Sequence, residues 1–233
     1  VEIYNFTMQG DTCAVSTSAT LLPNNKELEY VTCIGGTKEW LIVGQAGKNF
    51  ESRIHLYRLE KGSQPQLLHT LNLCSSPLKN PSGLCINNDR LAVSYYLDNS
   101  IDVFEFNHET LTFLYMHTIR SPLLEAPLSM EPFNSRILVS SHLNNRLLQF
   151  DIHSSKPKLK NVAINGFEIQ APWGICKYSN KIYLANVALT PSQRSYITEL
   201  SPISDAEFFS RRVAVQREKD GGSGFTVLAA LPS

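Results

Sequence analysis

Short apolar runs separated by polar turns recur along this chain at a fixed interval. Three stretches join a proline, a small or glycine position two residues on, and an apolar run: Pro81-Ser82-Gly83-Leu84-Cys85-Ile86, Pro127-Leu128-Ser129-Met130 and Pro172-Trp173-Gly174-Ile175-Cys176. The prolines lie 46 and 45 residues apart. A polar turn follows each, then a second apolar run: Leu91-Ala92-Val93-Ser94, Ile137-Leu138-Val139-Ser140 and Ile182-Tyr183-Leu184-Ala185. A third run comes next, in Ile101-Asp102-Val103-Phe104, Leu147-Leu148-Gln149-Phe150 and Tyr196-Ile197-Thr198-Glu199-Leu200. An earlier copy lacks the proline but keeps the order, with Tyr30 to Ile34, Trp40 to Gly44 and Arg53 to Tyr57. A fourth run closes the unit where His69-Thr70-Leu71 recurs as His117-Thr118-Ile119.

Four short strands every 45 or so residues is the period of a propeller blade. One blade has two apolar faces, and only packing between neighbours around an axis keeps both dry. The expected fold is therefore all-β, a β-propeller of four-stranded blades, about five to six in number, in one domain spanning residues 1–233. Repeats are expected at about 28–74, 75–120, 121–165 and 166–215, with 1–27 and 216–233 as partial or closing strands. The first strands belong near the axis. Val1 to Phe6 and Thr12 to Thr20 read as outer strands of a preceding blade. Arg212 to Val215 with Phe225 to Leu228 reads as a closing hairpin, and the absence of an initiating methionine points to a fragment. One exception to the strand pattern is Ser204 with Glu207 three positions on, a helix-cap spacing that predicts a short helix through Phe209.

Pro-x-Gly-aliphatic, a turn, an apolar strand, then Asn-x-Arg-aliphatic ending in Phe resembles NHL repeats and the related six-bladed propellers, among them the gluconolactonase and strictosidine-synthase groups. Pro81 to Phe104 and Pro127 to Phe150 carry the likeness best, with Asn144-Asn145-Arg146-Leu147-Leu148-Gln149-Phe150 the closest match. For gluconolactonase-like enzymes the resemblance would imply a divalent metal held by a glutamate, asparagines and an aspartate after a second strand. Here the positions after the second strands read Tyr95, Ser141 and Asn186, so only Asn186 offers an oxygen ligand of the amide or carboxylate type, with Glu27 or Glu29 as the N-terminal glutamate. A hard cation needs six or more oxygens.

Composition narrows the functional classes. The 233 residues carry 21 basic and 21 acidic side chains, and 42% are hydrophobic. Balanced charge removes the long-range field of a DNA binder, and no apolar stretch is long enough to span a membrane. Residues 150–233 hold ten basic and seven acidic groups, a weak basic bias for RNA. Cys13, Cys33, Cys74, Cys85 and Cys176 form no Cys-x-x-Cys pair and read as free thiols of a cytoplasmic protein. A sequon at Asn5 would permit glycosylation of a secreted chain. No nucleophile elbow, phosphate loop or metalloprotease motif occurs.

Propeller geometry puts the loops between second and third strands on one face with those joining successive blades. That face collects Tyr95, Tyr96, His142, Asn144, Trp173, Asn186 and Arg194 around the channel mouth. Aromatic residues and arginine are enriched in binding hot spots. The expected function is a non-catalytic platform for a protein or peptide partner, needing no cofactor. A metal-dependent lactonase-like hydrolase and NHL-type RNA binding are the alternatives, and Tyr95 or Trp173 as mere channel plugs is the structural one.

Overall fold

A computed structural model describes residues 2–9, 12–20, 31–37, 39–46, 51–60, 63–73, 76, 78–166, 168–187 and 195–213, with the backbone alone for the first two segments. Among the described residues nineteen strands run in chain order. β1 (Glu2–Gln9) pairs only with β2 (Thr12–Thr20). The first full sheet is β3 (Val31–Gly36), β4 (Trp40–Gln45), β5 (Arg53–Arg58) and β6 (Gln66–Asn72), each antiparallel to the next. The second is β7 (Pro81–Asn87), β8 (Arg90–Tyr95), β9 (Ser100–Asn107) and β10 (Thr112–Arg120). The third is β11 (Pro127–Phe133), β12 (Arg136–Ser141), β13 (Arg146–Phe150) and β14 (Lys160–Asn161). The fourth gathers β15 (Ala163–Gly166), β16 (Pro172–Tyr178), β17 (Lys181–Asn186), β18 (Tyr196–Ser204) and β19 (Glu207–Val213) in the order β15-β19-β18-β17-β16.

These are the blades that the repeat predicts, and they stack in series. Alternation along β8 sends Leu91, Val93 and Tyr95 to one side and Ala92 and Ser94 to the other, and all five are fully buried. The first side packs on Ile42, Ile54 and Leu56 of the first blade. Ala92, with Ile101 and Val103, instead meets Ile137, Val139 and Leu148 of the third. A further cluster joins Leu138 and Leu147 to Ile182, Leu184 and Phe208 of the fourth. Each fully buried aliphatic side chain is worth about 1.5–3 kcal/mol, so the blade-to-blade seams dominate the stability.

The first strands β3, β7, β11 and β16 pack one on the next, as the expected place near an axis requires. Small residues make this approach feasible. A Cβ on Gly83 would overlap the carbonyl oxygen of Leu128 in the following blade. Serine hydroxyls then stitch the seam: Ser82 donates to the Pro127 carbonyl at 2.7 Å, and Ser140 to the Trp173 carbonyl at 3.2 Å.

Two expectations change. Ser204 and Glu207 do not open a helix. They face each other across a hairpin turn between β18 and β19, with the Ser204 hydroxyl accepting from the Ala206 N–H at 3.4 Å. The same spacing that caps a helix closes a tight turn, and the pairing of Phe208 and Phe209 with β18 decides between them. The second change is at residues 160–166. β14 is only two residues long, and β15 crosses to add in parallel to the outer edge of the next blade, pairing Ala163 with Glu207 through Gly166 with Ser210. Among the described residues there is no helix, so none is long and apolar enough to cross a membrane. Cys74, the residues from 214 on with the expected closing hairpin, and the segment holding Arg194 lie outside the described residues.

Candidate functional site

The face built by the β8–β9 and β12–β13 loops is locked by a repeated clasp. Asn99 and Asn145 end these loops with left-handed backbone, φ 49° and 56°. Asparagine tolerates this region better than most residues. Each side-chain oxygen accepts the N–H of the alanine before the next blade's proline, Ala126 and Ala171, both at 2.7 Å. Those alanines are themselves left-handed, φ 51° and 41°, and buried. Their carbonyls turn back to accept from His142 N and Val187 N, both at 3.2 Å. One pre-proline residue thereby ties two blades at this face.

On this frame the rings of Tyr96, His142 and Trp173 form a row across three blades. Tyr96 and His142 stand 6.3 Å apart between centroids, and His142 meets Trp173 edge-on at 5.2 Å. Tyr96 and His142 occupy the same place in successive loops, the first residue after the second strand. Both outer rings are half-buried, whereas His142 is only 4% exposed. Burial lowers the His142 pKa, against the pull of the Pro172 and Ala171 backbone carbonyls. Its Nδ1 has no hydrogen-bond partner, and neither does the buried Oδ1 of Asn144. The ring row is flanked by Leu97 and Leu143, again equivalent in the repeat, which are 57% and 51% exposed at the loop tips. The sequence reading missed this leucine pair, though its signal was present: an apolar residue in the same turn position of two copies.

The other expected residues sit differently. Tyr95 is fully buried, with the Lys79 ammonium 4.1 Å above its ring. Burial, the Asp102 charge and a hydrogen bond to that carboxylate push its phenol far up. Lys79 also pairs with Asp98 at 3.2 Å and Asp102 at 3.1 Å. Burial opposes the ionisation of Asp98, but hydrogen bonds from Ser100, Arg120 and Lys79 outweigh it and hold the carboxyl below its ordinary value. Asn186 is 1% exposed, accepts from Gln170 N at 3.0 Å, and donates to Thr198 Oγ1 at 2.9 Å. Asn144 is half-buried and donates to the Leu123 carbonyl at 2.8 Å. Of the seven, Tyr96, His142 and Trp173 come together, Asn144 borders them, Tyr95 and Asn186 lie in the interior, and Arg194 is outside the described residues.

The positions where the resemblance would imply metal ligands do not fit a hard cation. Tyr95, Ser141 and Asn186 all turn inward, and Ser141 spends its hydroxyl on the backbone of Glu125, accepting at 2.8 Å and donating at 3.1 Å. Among the described residues no three His, Cys, Asp or Glu side chains converge as a ligand set. Glu27 and Glu29 lie outside them.

The first strands carry a group that the sequence reading passed over. Cys85, Glu131 and Cys176 share one register on β7, β11 and β16, paired with Ala92, Leu138 and Tyr183. Burial pushes the Glu131 carboxyl up to about 7 against the Lys177 charge and backbone N–H. Burial and the Glu131 charge raise both thiols, that of Cys176 to about 12. Cys33, Cys85 and Cys176 are free thiols.

No family model matches the chain, and no curated protein matches it in sequence. Solved structures do. A protein of Lactobacillus plantarum superposes with a TM-score of 0.59 at 12% identity, over 94% of this chain and 64% of that one. A candidate 6-phosphogluconolactonase of Bacteroides uniformis gives 0.58 at 14% identity, over 91% and 64%. The WD40 domain of Toxoplasma gondii coronin gives 0.50 at 10% identity, over 74% and 43%. The chain thus spans less than two thirds of each. At such identities the likeness speaks for architecture, and it does not single out NHL repeats. The chain has the fold of a β-propeller of four-stranded blades.

Proposed function

We propose that this propeller is an NHL-like, non-catalytic platform of the cytoplasm that binds a protein or peptide through the Tyr96–His142–Trp173 face. The observation that carries the reading is the ring row with its two exposed leucines, held on a frame of inter-blade hydrogen bonds. Aromatic anchors on a rigid scaffold, with apolar surface left in water beside them, are the composition of a binding hot spot. Rigid rings lose little conformational freedom on binding, which favours a preformed site. The free thiols support a reducing compartment. RNA stacking is supported less, since Tyr95 is in the interior and leaves Tyr96 and Trp173 as the rings open to a base.

The test starts from peptides selected on the immobilised chain out of a random phage-displayed library. Trp173→Ala should weaken the selected peptides about 30-fold, the effect of losing a hot-spot residue of about 2 kcal/mol, with an unchanged melting temperature. Leu143→Ser should weaken them less. Selected peptides that bind Trp173→Ala, Tyr96→Ala and Leu143→Ser as tightly as the parent would overturn the proposal.

A further inference from the structure

We infer that the cleft between the third and fourth blades is a binding site for an apolar α-amino acid in its zwitterionic form. The cleft has a volume of about 460 Å³ and exists because the third blade lacks a full outer strand. In the second blade β10 pairs along β9 as far as Ser100 with Arg120. In the third blade β14 reaches only Leu148 and Gln149, and the chain then leaves for the edge of β19. One further bond, Val162 N–H to the Leu147 carbonyl at 3.0 Å, ends the contact, and Arg146 at the start of β13 is left without a paired outer strand. A volume of this size falls in the range of small-ligand sites, about 300–1,000 Å³.

The lining has three kinds of group. Leu147 and Val162, both buried, give an apolar floor with Ile169, which packs on the same core. Arg146 and Glu168 supply one charge of each sign. Arg146 is the notable one. Among the described arginines, Arg53, Arg58, Arg90, Arg120 and Arg211 pair with carboxylates. Arg136 donates to Gln149, and Arg212 lies over the Tyr196 ring. Arg146 alone, half-buried, meets no acidic group, amide or ring. A guanidinium in that state is a carboxylate receptor, because its planar donors match two carboxylate oxygens.

Glu168 decides the class of carboxylate. It lines the same cleft yet forms no ion pair with Arg146, so the two charges stand further apart than a salt bridge. A bare fatty carboxylate would be repelled by Glu168, and a bare amine by Arg146. A ligand that carries both charges on one carbon satisfies each, and an aliphatic side chain then reaches the floor. This site is separate from the ring row and does not depend on the platform reading.

The test uses L-leucine as probe, with 4-methylpentanoate, which lacks the ammonium, and 3-methylbutylamine, which lacks the carboxylate. Saturable binding is read by calorimetry and by the rise in melting temperature that a native-state ligand must cause. Leucine is expected to bind, each analogue about tenfold or more weaker, and Arg146→Met and Glu168→Gln each to lose about tenfold or more. Arg146 is half-buried and Glu168 exposed, so neither substitution empties the core, and the analogue series needs no substitution at all. Trp173→Ala should leave leucine binding unchanged. The inference is overturned if neither L-leucine nor L-phenylalanine binds saturably, if the analogues bind as well as leucine, or if Arg146→Met retains the parent affinity.

Discussion

Replacing Glu131 by glutamine should make the protein more stable at alkaline pH and leave it unchanged in acid. Glu131 sits on β11 opposite Leu138, in register with Cys85 of β7 and Cys176 of β16, and Lys177 is the cation that faces it. Burial raises its carboxyl from 4.5 to about 7, so the folded state prefers the neutral acid. In the unfolded chain the group titrates near its ordinary value. Below that value both states hold the proton and no penalty exists. As pH rises through the interval up to about 7 the unfolded state releases its proton first, and folding stability is lost at a slope of about one proton. At 1.36 kcal/mol per pKa unit the loss amounts to about 3 kcal/mol once the interval is passed. The thiols stay neutral throughout, since both are raised. Glutamine fills the same space without the charge. Urea melts of parent and Glu131→Gln at about pH 4 and about pH 8 should therefore differ by about 3 kcal/mol only at the higher value. The other carboxylates, Asp98 and Glu199 included, cancel in the comparison. An equal difference at both pH values, or a variant less stable than the parent at pH 8, would refute the reasoning.

Two further substitutions test the frame beneath the binding face. Lys79→Met leaves the largely buried Asp102 carboxylate without its paired cation, while Asp98 keeps Arg120 at 2.8 Å, and should cost about 3 kcal/mol in urea unfolding; a cost below about 1 kcal/mol would mean that Lys79 is not the principal counter-charge of Asp102. Asn145→Ala removes the acceptor for the buried Ala171 N–H and should cost about 1–3 kcal/mol, with faster hydrogen exchange at Ala171 but not at Ala126.

The blade period was legible because Pro81, Pro127 and Pro172 mark equivalent places and the two-sided apolar runs admit only packing between sheets. The path of residues 160–166 was not. Ala163 to Gly166 alternates equally well as the outer strand of either blade, and pairing with β19, not local pattern, assigns it. Ser204 and Glu207 misled for a similar reason, since cap and turn share one spacing. Within the site, two adjacent tyrosines took opposite fates: the strand alternation of β8 carries Tyr95 inward, and Tyr96 is the first residue free of it. His142 and Trp173 were expected on one face, but their edge-on contact depends on how two blades are set side by side. Asn99 and Asn145 were visible as a repeat of 46 residues, yet their partner alanines precede the next proline, a pairing that only the fold reveals. Glu131 is the single charge in its strand, and its raised pKa comes from burial between blades, against the pull of Lys177 on the next one, which the local pattern does not show.

The proposed platform requires that one face, across three blades, receives the partner. A library-selected peptide carrying a photoactivatable benzophenone, cross-linked to the chain and mapped by mass spectrometry, tests it directly. Labels are expected to be confined to Tyr96–Leu97, His142–Leu143 and Trp173. Labels on the opposite turns, around Asn88, Asn134 and Ser179, would contradict it.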